Sequence, residues 1–140
     1  MLNVVIEDIM SENPITVKES VRVGDVAHLL MRYRINGMLI VKDNDANQII
    51  GIFTTTDLLR LLDQAFMQKT KKMDALDAVS NRTVGQEASH HIVSTQKDTK
   101  ITKVIAIMHK KNVHTIPVFD QEKLVGIVGR HDILNAAFTN

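Results

Sequence analysis

The chain has 140 residues, 44% of them hydrophobic and 24% charged, with a formal net charge of +1 and no cysteine. That length and apolar content allow one compact domain or two small ones sharing an interface, while so small a net charge creates no field that would draw a nucleic acid or an anionic membrane. The missing cysteines exclude disulfides, thiolate nucleophiles and cysteine-based zinc or iron–sulfur sites.

No apolar stretch reaches the roughly 18 residues needed to cross a bilayer. Glu7 and Asp8 break the first apolar run, so no secretory signal is expected and a cytoplasmic location is. In chain order, residues 25–34 place Val26, Leu29, Leu30 and Tyr33 on one side at helical spacing. Asp25 stands near the start, where it either caps the helix or complements its positive end. Met38 to Val41 is a short apolar run, 43–47 a polar turn rich in Asp and Asn, and Ile49 to Phe53 a second run, which together read as a β-hairpin. A helix is expected over 57–79, with Lys69, Lys71 and Lys72 as its solvated face, and then a polar linker over 80–91. The same order returns: helix 102–111, strand 115–119, turn Asp120 to Glu122, strand 124–128 and helix 132–138.

That recurrence is an internal repeat. A shift of 78 residues lays Ile15-Thr16-Val17 over Val93-Ser94-Thr95, Val23 over Ile101, Val26 over Val104, Leu30 over Met108 and Met38 over Ile116. After three extra residues in the first copy, around Asn44 to Gln48, Gly51-Ile52-Phe53 lies over Gly126-Ile127-Val128 and Asp57 over Asp132. The expected fold is α+β and sandwich-like, with two β-α-β-β-α repeats bounded at 1–79 and 80–140. One repeat alone leaves an apolar sheet face uncovered, so the two are expected to pack in pseudo-two-fold symmetry.

Thr54, Thr56 and Asp57 sit where a strand becomes a helix. A carboxylate there offers two oxygens to the vicinal hydroxyls of a ribose, and hydroxyls beside free amides suit phosphate oxygens. The same residues also serve as ordinary helix caps. No nucleophile elbow, P-loop or supported acid/base pair is present, so an enzyme is not expected. His90 and His91 point to opposite sides of an extended segment, and His28, His109 and His131 have no i,i+4 partner, so no metal site is expected. The methionines fall mostly on apolar stripes and read as core packing.

Taken together, Gly51-Ile52-Phe53-Thr54-Thr55-Thr56-Asp57, its echo Gly126-Ile127-Val128-Gly129-Arg130-His131-Asp132, the opening Asp8-Ile9-Met10-Ser11 and the strand His114-Thr115-Ile116-Pro117-Val118 resemble the CBS domain family, over essentially the whole chain. The resemblance implies a regulatory module without catalysis or a required cofactor, holding an adenosine-type ligand such as AMP, ADP or ATP between its copies. Carried over by residue, one cleft combines Thr54, Thr56 and Asp57 with Ala88, Val93, Val113, His114 and Thr115. The other combines Gly129, Arg130, His131 and Asp132 with Met10, Ile15, Ile35, Asn36 and Gly37. It departs from the pattern, with Gly129 and His131 where hydroxyls belong, so the first is the expected site. A homodimer and a regulated partner protein are also implied, with neither membrane nor nucleic acid. The alternative is a ligand-independent interaction module with a vestigial cleft.

Overall fold

The two apolar hairpins of the sequence are the centres of two separate sheets. The computed structural model describes residues 3–67 and 72–139. A short 3-10 turn at Ile6–Asp8 leads to β1 (Ser11–Glu12), β2 (Thr16–Lys18), α1 (Val23–Tyr33), β3 (Gly37–Lys42) and β4 (Asp45–Thr54). Next come α2 (Thr55–Phe66), α3 (Lys72–Ser80) and α4 (Val84–Glu87). The second round is β5 (Thr95–Gln96), α5 (Ile101–Lys111), β6 (Thr115–Asp120), β7 (Lys123–Gly129) and α6 (Arg130–Phe138). This is the expected α+β architecture, written twice.

One unit spans Ile15–His91. Its sheet runs β2-β3-β4, with β2 parallel and β4 antiparallel to β3. The central strand β3 is almost wholly apolar because it is covered: Met38, Leu39, Ile40 and Val41 are each at most 1% exposed. α1 buries Val23, Val26 and Leu30 against this core, each contributing about 1.5–3 kcal/mol. Leu29 packs at its edge, whereas Tyr33, expected on the same stripe, is 49% exposed because it lies on the last turn. Asp25 is in the first turn and Arg22 holds the cap position, so Asp25 acts on the helix dipole rather than as a cap. In the β3–β4 ladder the partners step from Ile49 to Asp45 while β3 advances only from Val41 to Lys42. The extra residues of the first copy are taken up there, and the expected turn at 43–47 shrinks as β4 begins at Asp45.

The other unit joins Met1–Pro14 to Ile92–Asn140. Its sheet runs β1-β7-β6-β5 around a core containing Ile101, Val104, Ile116, Val118 and Val128. Ile6, from the start of the chain, is fully buried in that core. β1 pairs antiparallel with β7, Ser11 opposite Ile127, and Ile6 N–H donates to the Thr99 carbonyl at 2.9 Å. The spatial division therefore differs from boundaries at 1–79 and 80–140: the first residues complete the second sheet, and 80–91 stays with the first. The reason is burial, since Ile6 and Val84 are equivalent apolar residues, each 0% exposed in the core to which its segment attaches.

The segment 80–91 is thus more than a linker. It contains α4, and Ser89 exchanges two 2.9 Å main-chain bonds with Ile52. The helix expected over 57–79 is two helices, α2 ending at Phe66 and α3 beginning at Lys72. The solvated face assigned to Lys69 and Lys71, and the side chain of Lys72, lie outside the described residues.

α1 and α5 each end on a left-handed residue, Arg34 (φ 53°) and Asn112 (φ 51°), at equivalent places in the repeat. The turn this allows feeds directly into β3 and β6, which brings the start of each middle strand beside the helix that follows the hairpin.

Candidate ligand-binding site

Thr54 is the last residue of β4 and the N-cap of α2. Its Oγ1 accepts from Asp57 N–H at 3.2 Å and donates to Asp57 Oδ2 at 2.9 Å, while Oδ2 also accepts from Thr54 N–H at 2.8 Å. This is a reciprocal capping box. The helix therefore starts at Thr55, two residues earlier than expected, with Asp57 in its first turn. Thr54 Oγ1 is committed to the cap in both its donor and acceptor roles.

The other carboxylate oxygen has a different environment. Asp57 Oδ1 faces Arg60 at 3.6 Å, an ion pair too long to be a hydrogen bond, so this oxygen retains its acceptor capacity. Asp57 is only part-buried and Thr56 is exposed. Of the four amides that a helix start leaves without intrahelical partners, Thr54 donates to Oδ2, Asp57 to Oγ1, and Thr55 to the Asn36 carbonyl at 2.8 Å. The Thr56 amide is the donor these bonds do not use. The turn thus presents an acceptor, Asp57 Oδ1, next to a donor set, the Thr56 amide and hydroxyl.

The Thr55–Asn36 bond brings the strand start Asn36-Gly37 against this turn, with Gly37 opposite Thr54 in the ladder. Ile35 packs on the core and Ile15 is 39% exposed in the same unit. Ala88 is buried beside Gly51, where an added Cβ would meet Ala88 Cβ at 2.9 Å and the Ser89 carbonyl at 2.8 Å. The glycine of the signature is required by this close crossing of two segments.

The second turn is built alike with fewer parts. Asp132 Oδ2 accepts from Gly129 N–H at 2.7 Å, and Arg130 N–H donates to the His114 carbonyl at 3.1 Å. Gly129 has no hydroxyl to return to the Asp132 amide, so the box is half made. Thr115 pairs with Gly129, Val113 packs on the core, and His114, Arg130 and His131 are exposed. Met10 occupies the place of Ala88, its sulfur against Gly126. Val93 belongs to this unit too.

The expected sets therefore divide by unit: Thr54, Thr56, Asp57, Ala88, Ile15, Ile35, Asn36 and Gly37 in one, and the rest in the other. Arg60 and the Asn36 carbonyl were not among the expected site features. The i,i+3 spacing of Asp57 and Arg60 on a helix was the available signal for the first. His90 Nδ1 lies 2.8 Å from the Ile50 carbonyl, and no group of metal-ligating residues occurs among the described residues. No described helix is long and apolar enough to cross a membrane.

A repeated β-α-β-β-α unit with a strand-to-helix turn in each copy defines a tandem-repeat α+β fold. The CBS domain profile matches residues 6–64 and 84–139. The chain belongs to the CBS domain family, as a tandem pair. It is similar to L-aspartate semialdehyde sulfurtransferase of Methanocaldococcus jannaschii, 26% identical over 129 residues, which are 91% of this chain and 22% of that protein. The chain spans less than a quarter of the length of the first curated relatives it matches, 22% and 23%. Among solved structures, CBSX2 in complex with AMP superposes with a TM-score of 0.76 at 22% identity, covering 96% of each chain. The CBS domain pair of MJ0100 in complex with 5′-methylthioadenosine and S-adenosyl-L-methionine gives 0.76 at 24% identity, covering 96% of this chain and 99% of that one. These likenesses establish the fold.

Proposed function

We propose that this CBS pair is a non-catalytic regulatory module that binds an adenosine-type nucleotide at the turn of Thr54, Thr56 and Asp57. The observation that carries the reading is the split role of Asp57: Oδ2 is spent on the cap, and Oδ1 is left to accept from a ribose hydroxyl. The Thr56 amide and hydroxyl then serve phosphate oxygens. Ala88, with Val93, Val113, His114 and Thr115 from the other repeat, completes the base side in this proposal. The adenosine shared by AMP, methylthioadenosine and S-adenosylmethionine in the solved relatives supports that ligand class. Binding would favour one arrangement of the repeats, and a partner in the cytoplasm reads that population. The half-made second turn, with Met10, Ile15, Ile35, Asn36, Gly37, Gly129, Arg130, His131 and Asp132, is the weaker site.

Calorimetric titration of AMP, ADP, ATP and S-adenosylmethionine into the wild type and Asp57→Asn tests this. Asn keeps one carbonyl oxygen for the cap, so the variant is expected to stay folded and to lose about tenfold or more in affinity, as when a charged hydrogen-bond partner is removed. Equal binding by both proteins removes the site, and no binding by the wild type removes the function.

A second reading, a ligand-independent homodimerisation module, is favoured by apolar side chains left on the helices. Leu59 is 67% and Met67 77% exposed at α2, and Phe138 83% exposed at the end of α6. Light scattering across a dilution series, with and without nucleotide, separates the two.

A further inference from the structure

Asp57 brings a negative charge to the turn proposed to receive phosphate oxygens, and an uncompensated carboxylate there would repel them. Arg60 stands one helical turn on, its guanidinium 3.6 Å from Asp57 Oδ1. The guanidinium side chain is 47% exposed, against 17% for the carboxylate, so it is free to face a ligand while remaining paired. At that distance the pairing is Coulombic and leaves Oδ1 its acceptor sites. Arg60 takes no part in the cap, which is made by Thr54 and Asp57 alone. The second turn has Asn135 at the equivalent position, and Asp132 makes no ion pair among the described residues. An ion pair to the turn's aspartate is therefore present at the first turn and, among the described residues, not at the second.

Resting on the function proposed above, we infer that Arg60 is a specificity-determining residue that sets the charge class of the ligand, favouring adenosine compounds with a 5′-phosphate over those with an uncharged 5′ group. A 5′-phosphate carries close to two negative charges at neutral pH. With Arg60 present the turn offers it a balanced Asp–Arg pair and free donors. Without Arg60 the carboxylate charge dominates, and a neutral 5′ substituent is preferred.

The test is calorimetric titration of AMP and of 5′-methylthioadenosine into the wild type, Arg60→Gln and Arg60→Lys, at low and high salt. Arg60→Gln is expected to weaken AMP about two- to fivefold, the range of an exposed charge contact, with methylthioadenosine unchanged or tighter. Arg60→Lys, which keeps the charge, should retain the wild-type ratio of the two affinities, and that ratio should fall with salt in the wild type but not in Arg60→Gln. Wild-type binding with both ligands weakened equally, or with neither affected, by Arg60→Gln overturns this inference and leaves the site standing. Absence of binding by the wild type overturns the site and the inference together.

Discussion

The N–H of Thr55 donates to the carbonyl of Asn36 at 2.8 Å, tying the first residue of α2 to the residue before β3. Arg130 and His114 repeat the bond at 3.1 Å in the second copy. Each strand-to-helix turn is thus pinned to the start of the middle strand in its own repeat, and the cap then fixes where the aspartate points.

The two caps differ in strength. Thr54→Ala removes the hydroxyl that accepts from Asp57 N–H, and is expected to cost about 1 kcal/mol. Gly129→Ser supplies the missing hydroxyl where an added Cβ has no neighbour closer than 3.7 Å and φ is −106°, and should stabilise by only a few tenths of a kcal/mol. Urea denaturation of both variants measures the contrast.

Gly51→Ala forces a Cβ to within 2.8 Å of the Ser89 carbonyl, so the segment crossing β4 must shift. The expected loss is about 1–3 kcal/mol, together with faster hydrogen exchange at the Ser89 amide, which bonds Ile52. Gly129→Ala, whose added Cβ would meet only ordinary van der Waals contacts at 3.7 and 3.8 Å, should stay within about 0.5 kcal/mol of the wild type.

Ile6 lies near the start of the chain but is 0% exposed in the core of the second repeat. Ile6→Ala is expected to cost about 2–5 kcal/mol, far above the near-zero cost of a frayed terminus. Chemical denaturation reads it directly.

Lys97 sits 3.3 Å from Glu7 and 3.4 Å from Asp120, linking the first residues of the chain to β6. Its pKa is raised, first by the hydrogen bond to Glu7 and then by that to Asp120. A folded-state pKa above the unfolded one gives stability that is fully present below lysine's ordinary value of about 10.4 and is lost as pH rises through the raised value. Lys97→Met should flatten that alkaline fall in thermal stability, with a small effect at neutral pH because the pair is exposed.

The repeat was legible because apolar residues recur at one shift, Val26 over Val104 and Met38 over Ile116, and burial follows that pattern in both cores. The capped turn was legible as Thr54 with Asp57, since cap chemistry is local. The attachment of residues 3–14 to the second repeat was not, because a 2-residue strand such as β1 has too little pattern to show its partner. The break between α2 and α3 was hidden for a related reason: 57–79 is rich in helix formers and carries no proline or glycine to mark an end. The pairing of Arg60 with Asp57 was not legible, because i,i+3 spacing does not fix a long, exposed side chain within 3.6 Å of Oδ1.

Binding of an adenosine nucleotide at the first turn is read by following backbone amide resonances during AMP titration. Saturable shifts are expected at Thr56 and Asp57 that exceed those at His131 and Asp132, and that are lost in Asp57→Asn. Saturable binding that leaves Thr56 and Asp57 unmoved, or no shift at any amide, would contradict it.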